Sequence, residues 1–416
     1  MVGLPLCLSM LLAAPARVEL IFGGDVIPHA PVKATAQTHT RPDPSAPGQS
    51  LNHQGWDHVF GPLAQTFAGV DLAIVNLETP ISGNPRALTG NMLFDAPSAL
   101  LDGLVSSGVD IATFANNHGL DQHREGIVAT RLALEKAGLL SAGADVNEEK
   151  AWAPLVVERN GIKIGFFAFT RFLNGFHNSA DSAAPHVPLV HYDDDVTSGG
   201  CNEAQLLVRV RAAAAQCDAL IVLPHWGEEY RPEPRPEDRT LAWKLVEAGA
   251  LAIVGHHPHV LQPIQTVERA DGSEAVVAFS LGNLVSNQDS SDAQSPKRDG
   301  LLLKLVLERT GPEAKVTMSQ LAALPLWTEN VFQRGSRNVQ PTVIDEELGA
   351  MRERLRAIEG RDDKVSASQR KVLTRRLAEG VQRRARILRV VPLSLQRPSD
   401  FAAFDTSRLQ GQYPPP

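Results

Sequence analysis

Short apolar runs recur along the chain, each closed by a cluster of polar residues. Val18–Phe22 leads into Gly23-Gly24-Asp25, Asp71–Val75 into Asn76-Leu77-Glu78, and Val109–Phe114 into Asn116-Asn117-His118. Ala219–Leu223 leads into His225-Trp226-Gly227, Leu251–Val254 into Gly255-His256-His257-Pro258-His259, and Val276–Ser280 into Gly282-Asn283. Runs of this length bounded by turn formers predict buried strands. Between them, Ser98–Ser107, Arg124–Ala137, Glu203–Gln216 and Glu237–Ala248 predict helices, with Ile127, Leu132 and Leu134 expected on one face of the second. Pro154–Val157 and Ile162–Phe169 predict a hairpin around Asn160-Gly161, and Leu301–Leu307 with Lys315–Leu324 predict late antiparallel strands. Strands alternating with helices predict an α/β fold.

Two polar stretches, residues 31–55 and 174–200, read as long loops. From about residue 339 the composition changes. Residues 344–389 are rich in Glu, Arg, Lys and Ala and read as two solvated helices, and Gln412–Pro416 reads as a frayed tail. The expected organisation is an N-terminal signal or arm over residues 1–17, a main domain over 18–338, and a helical extension with tail over 339–416.

Composition narrows the function. A formal net charge of −7 over 416 residues argues against a general nucleic-acid binder, which needs a basic face. No polybasic cluster suggests anionic lipid. Aromatic residues make up 5%, too few for a sugar-stacking platform or for the base clamp of a nucleotidase. Leu4–Ala14 followed by Ala13-Ala14-Pro15-Ala16 resembles the apolar and cleavage regions of a secretory signal. The expectation is export to the cell envelope, with the cytoplasm as the alternative. No later segment is apolar for long enough to span a membrane. Cys7, Cys201 and Cys217 contain no CxxC pair, which excludes a zinc knuckle. Cys201 and Cys217 are either a disulfide or two idle thiols, the second being favoured. His29, His39, His53 and His58, and the run Asp193–Asp195, read as solvated.

The polar clusters carry the candidate chemistry. In open α/β sheets ligands bind at the C-terminal ends of strands, and these clusters sit there. Asp25 and Glu78 offer anionic oxygens, Asn117 a neutral carbonyl, and His225, His257 and His259 imidazole nitrogens. Mixed nitrogen and oxygen donors suit Mn, Fe or Zn better than Ca or Mg. A carboxylate bridging two such ions makes a site for phosphoester hydrolysis. Each residue alone has a plainer reading: Asp25 as a helix cap, Glu78 as a structural ion-pair partner, His225 as a core histidine. The Arg-rich stretch 370–389 reads most simply as a solvated helix face, with a docking surface for an anionic polymer or partner as the alternative.

The series GGD, NLETPIS, FANNHGLD, LPHWGEEY, GHHPHVLQP and SLGN, in that order over residues 18–330, resembles the CapA (poly-γ-glutamate capsule biosynthesis) family. That family is similar to the calcineurin-like metallophosphoesterases, so the resemblance implies a sandwich of two mixed β-sheets flanked by helices. It also implies a dinuclear metal pocket. Asp25 would ligate the first metal, Glu78 would bridge, Asn117 and His225 would ligate the second, and His257 and His259 would serve one metal each. His118 would face the substrate as general acid or charge stabiliser. Asn76, Asp121, Glu228, Tyr230, His256 and Asn283 would line the pocket or support its ligands. The chain departs from the superfamily pattern at Ile27, where a histidine is usual, and at Glu78, where the bridge is usually aspartate, and from the family's own pattern at His123, where a glycine is usual. The implied function is capsule-type polymer biosynthesis, with two alternatives. The chain would be a metal-dependent hydrolase acting on a phosphoester or related anionic envelope substrate, or a non-catalytic component that holds the anionic polymer or other capsule-synthesis proteins.

Overall fold

The computed structural model describes residues 16–392, apart from residues 47, 88, 91, 194–195, 197–198, 289–294, 312, 334–335 and 362. The segment read as an export signal, Cys7, Asp194, Asp195 and the C-terminal tail lie outside the described residues.

Strand β1 (Ala16–Val26) is followed by helices α1 (Ala30–Thr38), α2 (Trp56–Phe60) and α3 (Ala64–Ala68), then by β2 (Leu72–Leu77), α4 (Ala99–Ser106), β3 (Ile111–Phe114), α5 (His123–Ala137) and β4 (Leu140–Gly143). These four strands pair in parallel in chain order, the helices supplying the crossovers that parallel pairing needs. A short α6 (Glu148–Ala151) then leads to β5 (Leu155–Arg159), β6 (Ile162–Thr170), α7 (Glu203–Ala214), β7 (Ala219–His225), α8 (Pro236–Glu247), β8 (Ala250–Val254), β9 (Ile264–Glu268) and β10 (Glu274–Ala278). They build a second sheet, β5-β6-β7-β8-β10-β9, whose two edge strands run antiparallel to their neighbours. The chain returns to the first sheet with β11 (Asn283–Val285) beside β1, and β12 (Asp299–Arg309), β13 (Thr317–Gln333) and β14 (Ser336–Val343) extend it antiparallel. Helices α9 (Ile344–Ala357) and α10 (Lys364–Leu388) follow. The fold is therefore α/β, with two mixed sheets flanked by helices and a C-terminal helical segment.

The continuous apolar runs follow from burial on both strand faces. Leu20 and Phe22 of β1, Ile74 of β2, Ile164 and Phe166 of β6, and Ile221 and Leu223 of β7 share one buried cluster between the sheets. The alternate residues Ile21, Ala73 and Val75 pack with Trp56, Phe60, Leu100 and Leu104 of the covering helices. Phe167, Leu220 and Val222 pack with Leu206, Leu241 and Leu245 on the other side. Each fully buried side chain of this kind contributes about 1.5–3 kcal/mol.

Several expectations are corrected. The stretch 31–55 is not simply a loop, because it contains α1. That helix starts at a proline in its first turn and buries only Val32, Thr35 and Ala36, too little apolar surface to stand out in the sequence. The nearby histidines are half-buried and partnered, not solvated. His39 and His58 stack at 3.5 Å, His58 meets Asn338 at 2.9 Å, His53 meets Asp57 at 2.8 Å, and His29 accepts from the Asn287 amide at 3.1 Å. On α5, Ile127 and Leu134 are buried with Thr130, whereas Leu132 projects into solvent, since it lies well round the helix from both. Strands β4, β9, β11 and β14 had no strong apolar signal, and β14 runs through residue 338, where the main domain was expected to end.

The C-terminal helices are not simply solvated. Leu348, Met351, Leu377 and Ile387 join the cluster between the sheets. Arg383, itself buried, meets Asp299 of β12 at 3.2 Å, and Arg386 grips the same carboxylate at 2.7 and 2.8 Å. Cys201 and Cys217 are free thiols, and burial pushes the Cys201 thiol up to about 12. Among the described residues, no helix is long and apolar enough to cross a membrane.

Candidate metal centre

The strand ends converge in one buried place. Phe22 pairs with Ile74 and Asp25 with Asn76, so β1 takes three steps where β2 takes two. This bulge at Gly23-Gly24 restores Asp25 to the face that Phe22 occupies, toward the second sheet. Gly24 lies so close to Gly282 that a Cβ would stand 1.9 Å from the Gly282 carbonyl oxygen. Asn283 of β11 is in register with Asp25 from the other side. In the second sheet, His225 continues the inward row of Ile221 and Leu223, and it bridges in parallel to His256. The buried Trp226 indole donates to the Phe279 carbonyl at 3.0 Å and anchors the turn that follows. Gly227 adopts φ 93°, a left-handed conformation that favours glycine. His257 and His259 also hold positive φ, 98° and 56°, a strain that recurs at functional sites.

Glu78 is the hub. It is fully buried, and its Oε1 lies 3.4 Å from His225 Nε2, 3.7 Å from His259 Nε2 and 4.0 Å from His118 Nε2. Among the described residues neither Glu78 oxygen has a hydrogen-bond partner, and His257 Nδ1 is also buried and unpartnered. Asp25 accepts from the Asn76 amide at 2.8 Å and the His257 backbone N–H at 3.3 Å, and it meets His259 Nδ1 at 3.2 Å. Asn117 Oδ1 lies 2.8 Å from His225 Nε2, and the Asn117 amide donates to Asn174 at 3.2 Å. Two compact groups emerge, Asp25-Glu78-His225 and Glu78-His257-His259, each with donor atoms within 4.8 Å of one another. They share Glu78. All these groups are buried, and either could hold a metal ion.

Charge favours cations here. Burial, with the carboxylates of Asp25, Glu229 and Asp121 nearby, pushes the Glu78 carboxyl well above its ordinary range. Burial alone would raise Asp25 too, but the hydrogen bond from His259, the neighbouring His256 and His259, and the Asn76 amide hold it below its usual value. Burial, then the neighbouring histidines, drives His225 well below its normal range. Burial, then His259, lowers His257 to about 3 against the pull of Asp25. Burial likewise lowers His256. Neutral imidazoles beside unpartnered buried carboxylate oxygens form a donor set that fits divalent cations, because an ion would satisfy atoms the protein leaves unsatisfied.

His118 sits beside this hub. Its Nδ1 lies 2.7 Å from Asp121 Oδ2, which also accepts from the Phe94 backbone N–H at 2.7 Å, and Phe94 stacks on the imidazole at 4.2 Å. Asp121 therefore sets the ring's orientation and leaves Nε2 toward Glu78. Asn283 Oδ1 faces His259 Nδ1 at 3.1 Å, and buried His256 faces the Gly23 carbonyl at 3.4 Å. Tyr230 lies at the edge, 6.0 Å from the His259 ring with Lys297 Nζ 3.8 Å above it. Glu228 faces outward and pairs with Arg231 at 2.9 Å, so it is the one expected pocket residue that the structure turns away. Its neighbour Glu229 faces the carboxylates instead.

Sequence reasoning missed several contributors. Asn116 is buried and donates to the Leu77 carbonyl at 2.8 Å, tying the β3 turn to β2; its place in the NNH run was the available signal. Phe172 packs on His257 at 4.8 Å and Phe94 on His118, and neither carried any signal.

An α/β sandwich whose strand ends bury a shared carboxylate among imidazoles is the class of protein that fold and site define together. The model of the bacterial capsule synthesis protein PGA_cap family matches residues 19–288, and the chain belongs to that family, within the metallophosphoesterase-like superfamily. It is 28% identical over 242 residues to "Capsule biosynthesis protein CapA" of Bacillus anthracis, covering 57% of this chain and 56% of that one. It is 27% identical over 261 residues to "PGA biosynthesis protein CapA" of Bacillus subtilis, covering 62% and 63%. The chain thus spans less than two thirds of the length of either relative. A "Probable polyglutamine synthesis accessory protein" of Mycobacterium tuberculosis is 25% identical over 322 residues, covering 70% of this chain and 78% of its own. A crystal structure of a hypothetical protein from Thermus thermophilus aligns with 78% of this chain and 97% of its own, at 17% identity and a TM-score of 0.37.

Proposed function

We propose that this protein is a metal-dependent hydrolase of capsule-type polymer biosynthesis, acting on a phosphoester or related anionic envelope substrate. The observation that carries the reading is the buried Glu78 carboxylate, both oxygens unpartnered, shared by two donor groups. Asp25, Glu78, Asn117, His225, His257 and His259 would hold two divalent ions, with Mn, Fe or Zn suited to the donor set. Bound there, such ions would supply Lewis acidity and a water ionised near neutral pH. The protein does the rest. Asp121 fixes the His118 ring through Nδ1, and His118 delivers a proton from Nε2 to the leaving oxygen. A cavity of about 410 Å³ is lined by Asp121, the residue that orients His118, with Arg86, His123, Glu125 and Phe176. The setting of this activity is the cell envelope, and other capsule-synthesis proteins are its partners.

A second reading is favoured by Ile27, which is buried and apolar where the superfamily usually has a nitrogen ligand. In that reading the pocket holds polymer or partner without turnover. Elemental analysis of the purified protein, with hydrolysis of a generic phosphodiester with and without added Mn²⁺ and after chelation, tests both. Bound metal with chelator-sensitive turnover is the expected result. Bound metal without turnover favours the second reading, and no metal at any concentration refutes the centre. His225→Ala and His257→Ala should lower metal content while the fold persists.

A further inference from the structure

The irregular segment between β6 and α7 is pinned to the metal-ligand turns by one side chain that no motif singled out. Tyr192 donates from its hydroxyl to Asp238 of α8, at 3.2 Å to Oδ1 and 3.4 Å to Oδ2. The same hydroxyl accepts the Gly227 backbone N–H at 3.2 Å, two residues beyond His225. The ring is sandwiched between two guanidinium groups, Arg171 at 3.8 Å and Arg235 at 4.3 Å from its centroid. It also packs against Phe172 at 5.6 Å, and Phe172 packs against His257 at 4.8 Å. Arg171 completes the attachment by donating its backbone N–H to the His225 carbonyl at 3.0 Å.

The cost of this arrangement points to a purpose. The Arg171 side chain is fully buried; among the described residues its Nε and Nη2 have no hydrogen-bond partner, and it pairs with Glu203 at 3.4 Å. A buried guanidinium so poorly satisfied is expensive, and stacking on Tyr192 compensates it together with the carboxylates of Glu203 and Asp238. Gly227 holds φ 93°, and its N–H is donated to the Tyr192 hydroxyl. A hydrogen bond to that amide fixes the exit direction of the chain just after a ligand.

We propose that Tyr192 is a positioning residue for the metal centre: it clasps the turn after His225 through its hydroxyl and the His257 ring through Phe172, and so holds both imidazoles in ligating geometry. The proposal rests on the metal-centre reading above. Groups that orient ligands from behind set metal affinity by about 10–100-fold.

The experiment is a Zn²⁺ and Mn²⁺ titration, by calorimetry, of the full chain as wild type, Tyr192→Phe and Asp363→Ala. Tyr192→Phe keeps the ring and its cation contacts but loses the hydrogen bonds at Gly227 and Asp238. Asp363→Ala removes the N-cap of α10, a helix that supplies none of the candidate ligands, and serves as a variant that loses stability only. The expected result is affinity about tenfold weaker in Tyr192→Phe, with unchanged affinity in Asp363→Ala at a comparable fall in melting temperature. Equal affinity in Tyr192→Phe and a metal-binding wild type overturns the clasp and leaves the centre standing. A wild type that binds neither ion overturns the centre, and the clasp with it. Equal weakening in both variants overturns the clasp as well, since general destabilisation then accounts for the loss.

Discussion

Replacing Glu78 by glutamine should reverse the usual outcome of substituting a buried residue. The carboxylate is fully buried, has no hydrogen-bond partner on either oxygen, and lies near Asp25, Glu229 and Asp121. Its folded-state pKa is raised, so the folded protein holds the proton more tightly than the unfolded chain does. Stability from this group is therefore present in acid and is lost as the pH rises above the ordinary carboxylate range. Glutamine carries no such penalty, and its carbonyl oxygen can sit toward the His225 Nε2–H, which already donates to Asn117 Oδ1 at 2.8 Å. At pH 7.5, metal-free Glu78→Gln should be more stable than metal-free wild type by about 1–3 kcal/mol, the scale of an unsatisfied buried polar group. Metal inverts the order. At a hundred times Kd, a bound ion stabilises wild type by about 2.7 kcal/mol. For a chain of this size that is roughly 3 °C in melting temperature. The variant, lacking the shared anionic ligand, should gain almost nothing. Differential scanning calorimetry of both proteins in chelator and in Mn²⁺ or Zn²⁺ makes the comparison. A metal-free variant that melts well below wild type would show Glu78 to be a structural partner. An equal gain in both proteins would show that it is no ligand.

Three further outcomes follow from particular contacts. His118→Ala should keep its metal, measured by elemental analysis, and lose about 10²–10⁴-fold in phosphodiester turnover, because only proton delivery is removed. Asp238, raised to about 6 mainly by burial, makes its full contribution below the ordinary carboxylate pKa and loses it as the pH rises through 6. That contribution is about 3 kcal/mol. Urea unfolding from pH 4 to 7 should therefore show a slope in wild type that Asp238→Asn flattens; parallel curves would contradict the assignment. Gly24→Ala should cost about 3 kcal/mol or more, read by urea unfolding, because the new Cβ would meet the Gly282 carbonyl oxygen at 1.9 Å and must part β1 from β11.

The sequence by itself determined the strands that carry the candidate ligands and which polar residues end them. Apolar runs buried on both faces are legible without a partner, and Asp25, Glu78, Asn117, His118, His225, His257 and His259 stand where those runs stop. The Asn160-Gly161 hairpin was equally local, since both residues take the positive φ its turn requires. Elements whose burial depends on a distant surface were not legible. Helix α1 buries only Val32, Thr35 and Ala36, and β14 is recruited by the edge of β13. The arginine-rich α10 looks like a solvated face until Asp299, far away in the chain, meets Arg383 and Arg386. Only the tertiary structure decided that Glu229 and not Glu228 faces the carboxylates, that Phe94 and Phe172 back the imidazoles, and that Tyr192 reaches Gly227. Those outcomes rest on turn geometry and on contacts between residues far apart in sequence. Local pattern sets a residue's element and face, while the packing of two sheets sets what that face meets.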